Sequence, residues 1–362
     1  MKYSFIIPVY NRPDEVDELL DSLTRQTFRD FEVIVVEDGS SDPCKEVVEK
    51  FEKVLDVHYY NKANSGPGQT RNYGVEQAQG EYMLILDSDC IRPATYLEEV
   101  EKELQQEDTD AFGGPDRAHD SFTDVQKAIN YAMTSFFTTG GIRGGKKKLD
   151  KFYPRSFNMG IRKSVYQSLG GFSKMRFGED IDFSIRIFKN SYRCRLFPEA
   201  WVWHKRRTDL KKFFKQVHNS GIARINLYKK YPDSLKLVHM LPAVFTLGVL
   251  LLCLLFVVGL GLIVSNGYGI YADVVDDPSM LYVGVFLGGM AVLGALAPLL
   301  AYSLLIFIDS FVRNKSFKVA CLSIGASFVQ LMGYGSGFLL AWWRRCICGK
   351  DEFAAFEKNF YK

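Results

Sequence analysis

The chain has 362 residues, long enough for two domains, and 47% of them are apolar. A formal net charge of +3 is too small to argue for a nucleic-acid partner. The seven cysteines form no C-x-x-C pair and two fall inside apolar runs, which argues against a zinc site of that type and against a disulfide framework.

Ser4 to Val9 reads as a buried strand, and the apolar run that Pro8 ends is too short for a cleavable signal. The N-terminal part is therefore expected to stay in the reducing cytosol. Pro13 to Gln26 carries Val16, Leu19, Leu20 and Leu23 at helical spacing, with Pro13 in a helix-opening position. Phe31 to Val36 is a second apolar strand, Pro43 to Val54 a helix with Val47, Val48, Phe51 and Val54 on one face, and Val57 to Tyr60 a third strand. The loop 64–72 leads into a helix that runs through Ala78. A fourth apolar strand, Tyr82 to Leu86, is followed by Asp87-Ser88-Asp89.

Repeated strand–helix alternation means parallel strands with helices on both faces, and such sheets bind ligands at the carboxyl ends of the strands. Those ends offer Pro8, Tyr10 and Asn11, then Asp38, then Arg71, then Asp87, Ser88 and Asp89. Neither G-x-G-x-x-G nor a P-loop pattern is present, which disfavours a dinucleotide or a P-loop nucleotide site. A carboxylate such as Asp38 can accept a base N–H, Tyr10 can stack on a base, and Arg71 can bond phosphate oxygens. Asp89 with Asp87 can hold Mg²⁺ or Mn²⁺, since such ions are bound by one or two carboxylates plus substrate phosphates. Together these point to a nucleoside diphosphate donor.

The segments F-I-I-P-V-Y-N, V-V-E-D-G-S-S-D, G-P-G-Q-T-R-N-Y-G and L-I-L-D-S-D, in that order, resemble the successive signatures of the family 2 glycosyltransferases over roughly Lys2 to Gly221. The resemblance implies a GT-A fold, Rossmann-like with a mainly parallel α/β sheet. It implies that Asp38 reads the base, usually uracil, that Arg71 faces the diphosphate, that Asp87 lies near the ribose and that Asp89 binds the metal. Glu37 stands where many relatives have a second aspartate, a departure expected to matter little.

Further along, Tyr96 to Gln105 is helical and residues 110–114 form a strand and turn. The glycine- and lysine-rich segment 140–148 is a solvated loop or a lid over donor phosphates. The family pattern also implies that Asn158 and Met159 belong to an acceptor pocket and that Glu179-Asp180 supplies the catalytic base. Displacement at an anomeric carbon needs the acceptor hydroxyl deprotonated as it attacks, and Asp180 is the residue expected to do this. Both acids also open a helix, where the dipole favours them in any case. Asp182 reads as a solvated helix residue. In several relatives a histidine at the place of His204 completes the metal shell, which makes it a third metal candidate beside Asp89 and Asp87.

Leu210, Phe213, Phe214 and Val217 have helical spacing and alternate with Lys211, Lys212 and Lys215, as in a helix lying in the cytosolic membrane interface. Met240 to Ala272 and Pro278 to Ile308 carry no charge, and each exceeds the roughly 20 apolar residues a span needs. Val319 to Trp343 is a third uncharged stretch, but a full span would put Arg344, Arg345 and Lys350 outside, against the positive-inside rule. Gly333, Gly335 and Gly337 fit a kinked, re-entrant or tightly packed segment. The expected layout is a catalytic domain at 1–208, a juxtamembrane helix at 209–236, an α-helical membrane domain at 237–343 with spans near 240–264, 281–308 and 319–343, and a polar tail at 344–362.

The expectation is an inverting, metal-dependent glycosyltransferase of the plasma (inner) membrane with its catalytic domain in the cytosol. It would use a nucleotide-sugar donor, a saccharide or lipid-linked acceptor, and membrane lipid as partner, with no nucleic acid. Polyprenyl-phosphate glycosyl transfer is the near alternative. A non-catalytic membrane scaffold with a nucleotide-binding domain is the alternative from another class. A processive synthase is disfavoured because Gln216 to Ser220 lacks the Q-x-x-R-W pattern.

Overall fold

The computed structural model describes residues 1–119, 121–139, 152–272 and 277–355, so the segment 140–148 lies outside the described residues. These form two compact units, the first holding 1–119, 121–122 and 152–206, the second 123–139 and 207 onward. The stretch expected as one catalytic domain, 1–208, is therefore interrupted by residues that bury Ala128, Ile129, Ala132 and Met133 within the helical unit.

In chain order the first unit begins with β1 (Tyr3–Val9), α1 (Pro13–Thr24), β2 (Phe31–Asp38), α2 (Lys45–Glu49), β3 (Val57–Lys62), α3 (Pro67–Gln77) and β4 (Tyr82–Ile85). There follow β5 (Cys90–Ile91), α4 (Tyr96–Gln106), β6 (Ala111–Gly113) and β7 (Asp116–Arg117). After α5 (Asp124–Thr134) and α6 (Phe136–Thr139) of the helical unit, it resumes with β8 (Met159–Arg162), α7 (Lys163–Ser168), α8 (Glu179–Lys189), β9 (Cys194–Leu196) and β10 (Val202–His204).

The main sheet runs β3-β2-β1-β4-β8-β6-β9. The first four strands are parallel, and β8 inserts antiparallel to β4 and β6. The sheet is thus parallel in its N-terminal half and mixed beyond β4. Its central strands β1, β2 and β4 are buried on both faces, and side chains alternate between them. Phe5, Ile7, Val33, Val35 and Leu84 pack into one layer with α1, while Ile6, Ile34, Val36, Met83 and Ile85 pack into the other. A Cβ on Gly74 would meet Ile6 Cγ2 at 2.7 Å, so glycine lets α3 lie close on the sheet.

The second helix is shorter than its apolar spacing predicts. It ends at Glu49, a turn closes through the Leu55 N–H to Phe51 carbonyl bond, and Val54 is exposed. A small second sheet has the order β5-β10-β7, with β10 antiparallel to β5.

The helical unit holds α5 and α6, then α9 (Leu210–Lys230), α10 (Leu241–Tyr271), α11 (Ser279–Asn314) and α12 (Phe317–Ala341), which passes into a π-helical turn at Trp342–Ile347. The three last helices are long and apolar enough to cross a membrane. On α9 the apolar residues Phe213 and Val217 are not free to face lipid as the amphipathic pattern implies. They are buried in a cluster with Val319 and Ala326 of α12.

Candidate active site

The loop after β2 is held by its acids. Asp38 Oδ1 accepts from Lys62 Nζ (2.6 Å) and the Ser65 N–H (2.9 Å), and Oδ2 accepts from the Gly66 N–H (2.9 Å). Gly66 has φ of +87°, the conformation that turns its N–H onto the carboxylate and opens α3. An ionised carboxylate has about four acceptor positions, so a further donor such as a base N–H can still be received. Glu37 is fully buried and accepts from the Cys44 N–H (2.8 Å) and from the Ser40 hydroxyl. Asn11, at φ +53°, accepts through Oδ1 from the Ser41 and Asp42 N–H groups (2.8 and 3.0 Å), tying the end of β1 to this loop. Pro8 of β1 pairs with Val36 of β2, and Tyr10 follows β1, half-buried.

The centre of the site is a chain of charges. Arg71, on α3 and 3% exposed, donates from Nη2 to Asp87 Oδ1 (2.6 Å) and from Nη1 to Glu179 Oε1 (3.0 Å). Its guanidinium also lies over the Phe172 ring, 5.3 Å from the centroid. Burial works to lower the Arg71 pKa, but Asp87 and Glu179 outweigh it and hold it above the usual arginine value. Burial pushes Glu179 up to about 7, with Arg71 opposing. Asp180 is also desolvated, yet Arg155, whose Nε donates to its Oδ2 at 2.7 Å, and Arg71 hold its carboxyl below the usual range. Adjacent acids at the start of α8 thus have opposite tendencies, one toward a proton and one toward charge.

The predicted metal residues separate. Asp89 Oδ1 and His204 Nε2 are 3.3 Å apart, brought together because His204 of β10 pairs with Cys90 of β5. The Lys205 N–H donates to the Asp89 carbonyl (3.0 Å), which secures the register. Asp87 is turned to Arg71 instead, and Ser88 is buried in the turn between the two acids. Cys90 Sγ lies close to Asp89 and His204, but burial pushes its thiol well up and it points to the Phe157 carbonyl (3.6 Å). A carboxylate and an imidazole fit a hard divalent ion that completes its shell with phosphate and water.

Three expectations are corrected. Asn158 and Met159 are each 1% exposed. The Asn158 amide accepts from Arg92 Nη1 (3.1 Å) and Tyr96 Oη (2.8 Å) and donates to the Ala200 carbonyl (2.8 Å), so neither residue is presented to an acceptor. Asp182 is wholly buried, not solvated, with Arg186 Nη2 at 2.9 Å.

Four residues were not singled out in the sequence. Arg12 Nη1 is 3.1 Å from Asp89 Oδ2, Lys62 holds Asp38, Arg155 holds Asp180, and Arg176 lies so close that a Cβ on Gly66 would meet its Nη1 at 2.8 Å. Arg12 alone carried a usable signal, its position directly after the Tyr10-Asn11 strand end.

Residues 4–170 match the family model described as glycosyl transferase family 2. The poly(ribitol-phosphate) beta-N-acetylglucosaminyltransferase TarS of Staphylococcus aureus (strain Mu50) is 43% identical over 93 residues, which cover 25% of this chain and 16% of that protein. An uncharacterized glycosyltransferase of Haemophilus influenzae is 30% identical over 194 residues, 51% of this chain and 62% of that one. The first four curated relatives are matched over 13–22% of their own length. Among solved structures, the mannosyltransferase PcManGT from Pyrobaculum calidifontis, in complex with GDP-Man and Mn²⁺, has a TM-score of 0.55 at 16% identity over 95% of this chain and 88% of that one, a likeness of fold. Over residues 4–170 the chain is thus similar to glycosyl transferase family 2.

Proposed function

We propose that the protein transfers a sugar, with inversion, from a nucleotide-sugar, in the first instance a UDP-sugar, to a hydroxyl of a polysaccharide, oligosaccharide or glycolipid acceptor at the cytosolic membrane face. The observation that carries this is the Arg71 bridge. It ties Asp87, at the donor end of β4, to Glu179, the neighbour of the base candidate Asp180. Donor-side and acceptor-side acids are thereby held in one network through the buried Arg71.

In this function Asp38 and the end of β1 receive the nucleoside. Asp180, kept ionised by Arg155, takes the proton of the acceptor hydroxyl. The acceptor oxygen bonds to the anomeric carbon from the face opposite the leaving group, and the bond from that carbon to the phosphate oxygen breaks. Asp89 and His204 would hold Mg²⁺ or Mn²⁺, which neutralises charge on the departing diphosphate. Of the apolar helices, α10 and α11 cross the plasma (inner) membrane, with the residues before α10 on the cytosolic side.

The test is a panel of nucleotide-sugars scored by nucleotide release, with and without Mn²⁺ or Mg²⁺, using membranes and, in a separate arm, polyprenyl phosphate as acceptor. One donor giving metal-stimulated release that Asp180→Asn abolishes supports the proposal. Release only with polyprenyl phosphate moves the acceptor to the lipid phosphate. Failure of every donor in every arm favours a non-catalytic scaffold.

A further inference from the structure

The three apolar helices are not equivalent. In their most apolar windows 11% of residues are buried in each of α10 and α11, against 44% in α12. The pattern of contacts shows why.

Helices α10 and α11 form a hairpin in contact along its whole length. Phe245 meets Tyr302 at one end (centroids 5.3 Å apart). Gly259 faces Gly288 midway, where an added Cβ would be 2.8 Å from the Gly288 carbonyl oxygen. Near the other end a Cβ on Gly269 would be 3.1 Å from Leu281. Helix α12 meets this hairpin at one end only. Ser323 Oγ is 2.7 Å from Ser310 Oγ, the Phe328 ring is 5.6 Å from Tyr302 and 5.7 Å from Phe245, and Thr246 Oγ1 donates to the Leu331 carbonyl at 3.4 Å. A Cβ on Gly335 would be 2.3 Å from the Pro242 carbonyl oxygen. All of these partners lie in the first turns of α10 or the last turns of α11. As α12 proceeds from Ser323 to Gly335 it passes from one helix to the other, across the hairpin and not along it.

What α12 does follow along its length is α9. A Cβ added at Gly325 would be 3.8 Å from Leu210 Cδ1, and one on Gly333 would be 2.5 Å from Val217. Gly337 packs on the His218 carbonyl and Gly221 on the Tyr334 carbonyl, where an added Cβ would be 2.0 and 2.1 Å away. Arg345 Nη1 then donates to Asn226 Oδ1 at 2.7 Å. Helix α9 exposes Lys211, Lys212, Lys229 and Lys230. If α12 crossed the bilayer it would carry this charged helix into hydrocarbon, which strongly opposes insertion.

We infer that α12 does not span the membrane but lies in its surface, as an in-plane platform with α9 across the cytosolic ends of a two-span hairpin, and that its partner is the lipid headgroup region. The exposed residues suit that partner. Phe317, Leu340, Trp343 and Ile347 are apolar and exposed, with Lys318, Arg344 and Lys350 beside them in sequence. This arrangement also returns Arg313, Lys315, Lys318, Arg344, Arg345 and Lys350 to one side, where the positive-inside rule puts them. The inference rests on the membrane placement of α10 and α11 but not on any transferase chemistry.

Sidedness tests it. Single cysteines at Asp233→Cys, Asp277→Cys and Lys350→Cys are placed in a background with Cys253, Cys321, Cys346 and Cys348 changed to serine. An impermeant maleimide is applied to intact cells and to inverted vesicles, with reactivity after denaturation as the reference. The expected result is that Lys350→Cys reacts in inverted vesicles together with Asp233→Cys, while Asp277→Cys reacts in intact cells. Reaction of Lys350→Cys in intact cells makes α12 a third span and overturns the inference. Silence of Lys350→Cys in both preparations removes the exposed surface placement and overturns it as well. No nucleotide-sugar enters the experiment, so its failure is distinct from failure of the proposed activity.

Discussion

Arg71 reaches Glu179 across 3.0 Å from the nitrogen beside the one that holds Asp87 at 2.6 Å. The two carboxylates come from segments 92 positions apart (179 − 87 = 92) and share one buried guanidinium. Removing that guanidinium strands a desolvated Glu179. Arg71→Ala is expected to destabilise the fold by about 3–5 kcal/mol at pH 8, read as chemical or thermal unfolding in detergent. The loss should shrink at pH 6, where Glu179 can take a proton instead of remaining charged. An equal loss at both pH values would show that Glu179 is not the group left stranded.

Glu179 itself gives the fold a pH dependence. Its folded value is raised from 4.5 to about 7, so between those values the native state holds the proton more tightly than the unfolded chain. Its contribution to stability is full below about 4.5 and is lost as the pH rises through about 7. Glu179→Gln keeps a neutral side chain of the same shape. Its melting temperature relative to wild type should therefore climb from pH 5 to pH 8. A difference that stays flat over that range contradicts the raised value.

Asp180 has the opposite sign. Held below its ordinary 3.8 despite burial, its carboxyl stays ionised and loses that form only as the pH falls through its depressed value. Asp180→Asn should cut turnover by about 10²–10⁴-fold while donor binding, measured by calorimetry, is retained. Arg155→Ala removes the neighbouring cation and should move the acidic limb of the turnover profile to higher pH. Full activity of Asp180→Asn would remove it as the base.

Asp89 is shared between His204 and Arg12. Asp89→Ala should abolish metal-stimulated nucleotide release. Arg12→Ala withdraws a cation that competes for the same carboxylate, so half-maximal release should need less Mn²⁺. A higher metal requirement in Arg12→Ala would mean that Arg12 positions Asp89 for the ion and does not compete with it.

Asn158 is a structural amide, and its loss should register in stability. Asn158→Ala takes an acceptor from Arg92, which is 2% exposed, and should cost about 1–3 kcal/mol. The Michaelis constant for acceptor in the folded fraction should not change. A selective rise in that constant with normal stability would restore the acceptor role.

Much of the first unit was legible residue by residue. Tyr3–Val9, Phe31–Asp38 and Tyr82–Ile85 are strands because short apolar runs bounded by turn residues have few other ways to be buried. Pro13 opens α1, as a proline in the first helical turn favours, whereas α3 already begins at Pro67, inside the segment 64–72 expected as a loop. The acids Asp38, Asp87 and Asp89 stood out because each follows such a strand. Less legible was α2, where apolar spacing continued through Val54 but the helix stopped at Glu49. Spacing alone does not say where tertiary packing ends a helix. On α9 the same spacing marked an apolar face correctly, but whether lipid or protein covers a face is not a property of the face.

By itself, then, the sequence determined the strand–helix order, the acids at the strand ends and the apolar helices, because periodicity, turn chemistry and motif spacing are local. Only the tertiary structure decided who partners whom. Asp89 meets His204 because β10 pairs with β5, and Arg71 turns from the expected phosphate side to two carboxylates. Asn158 passes from acceptor pocket to core because Arg92 and Tyr96 arrive on it from another element. The glycines of α12 are tight against α9 and α10 because both helices approach it to backbone distance. Each of these outcomes depends on burial and charge supplied by residues far away in the chain, and no local pattern encodes that proximity.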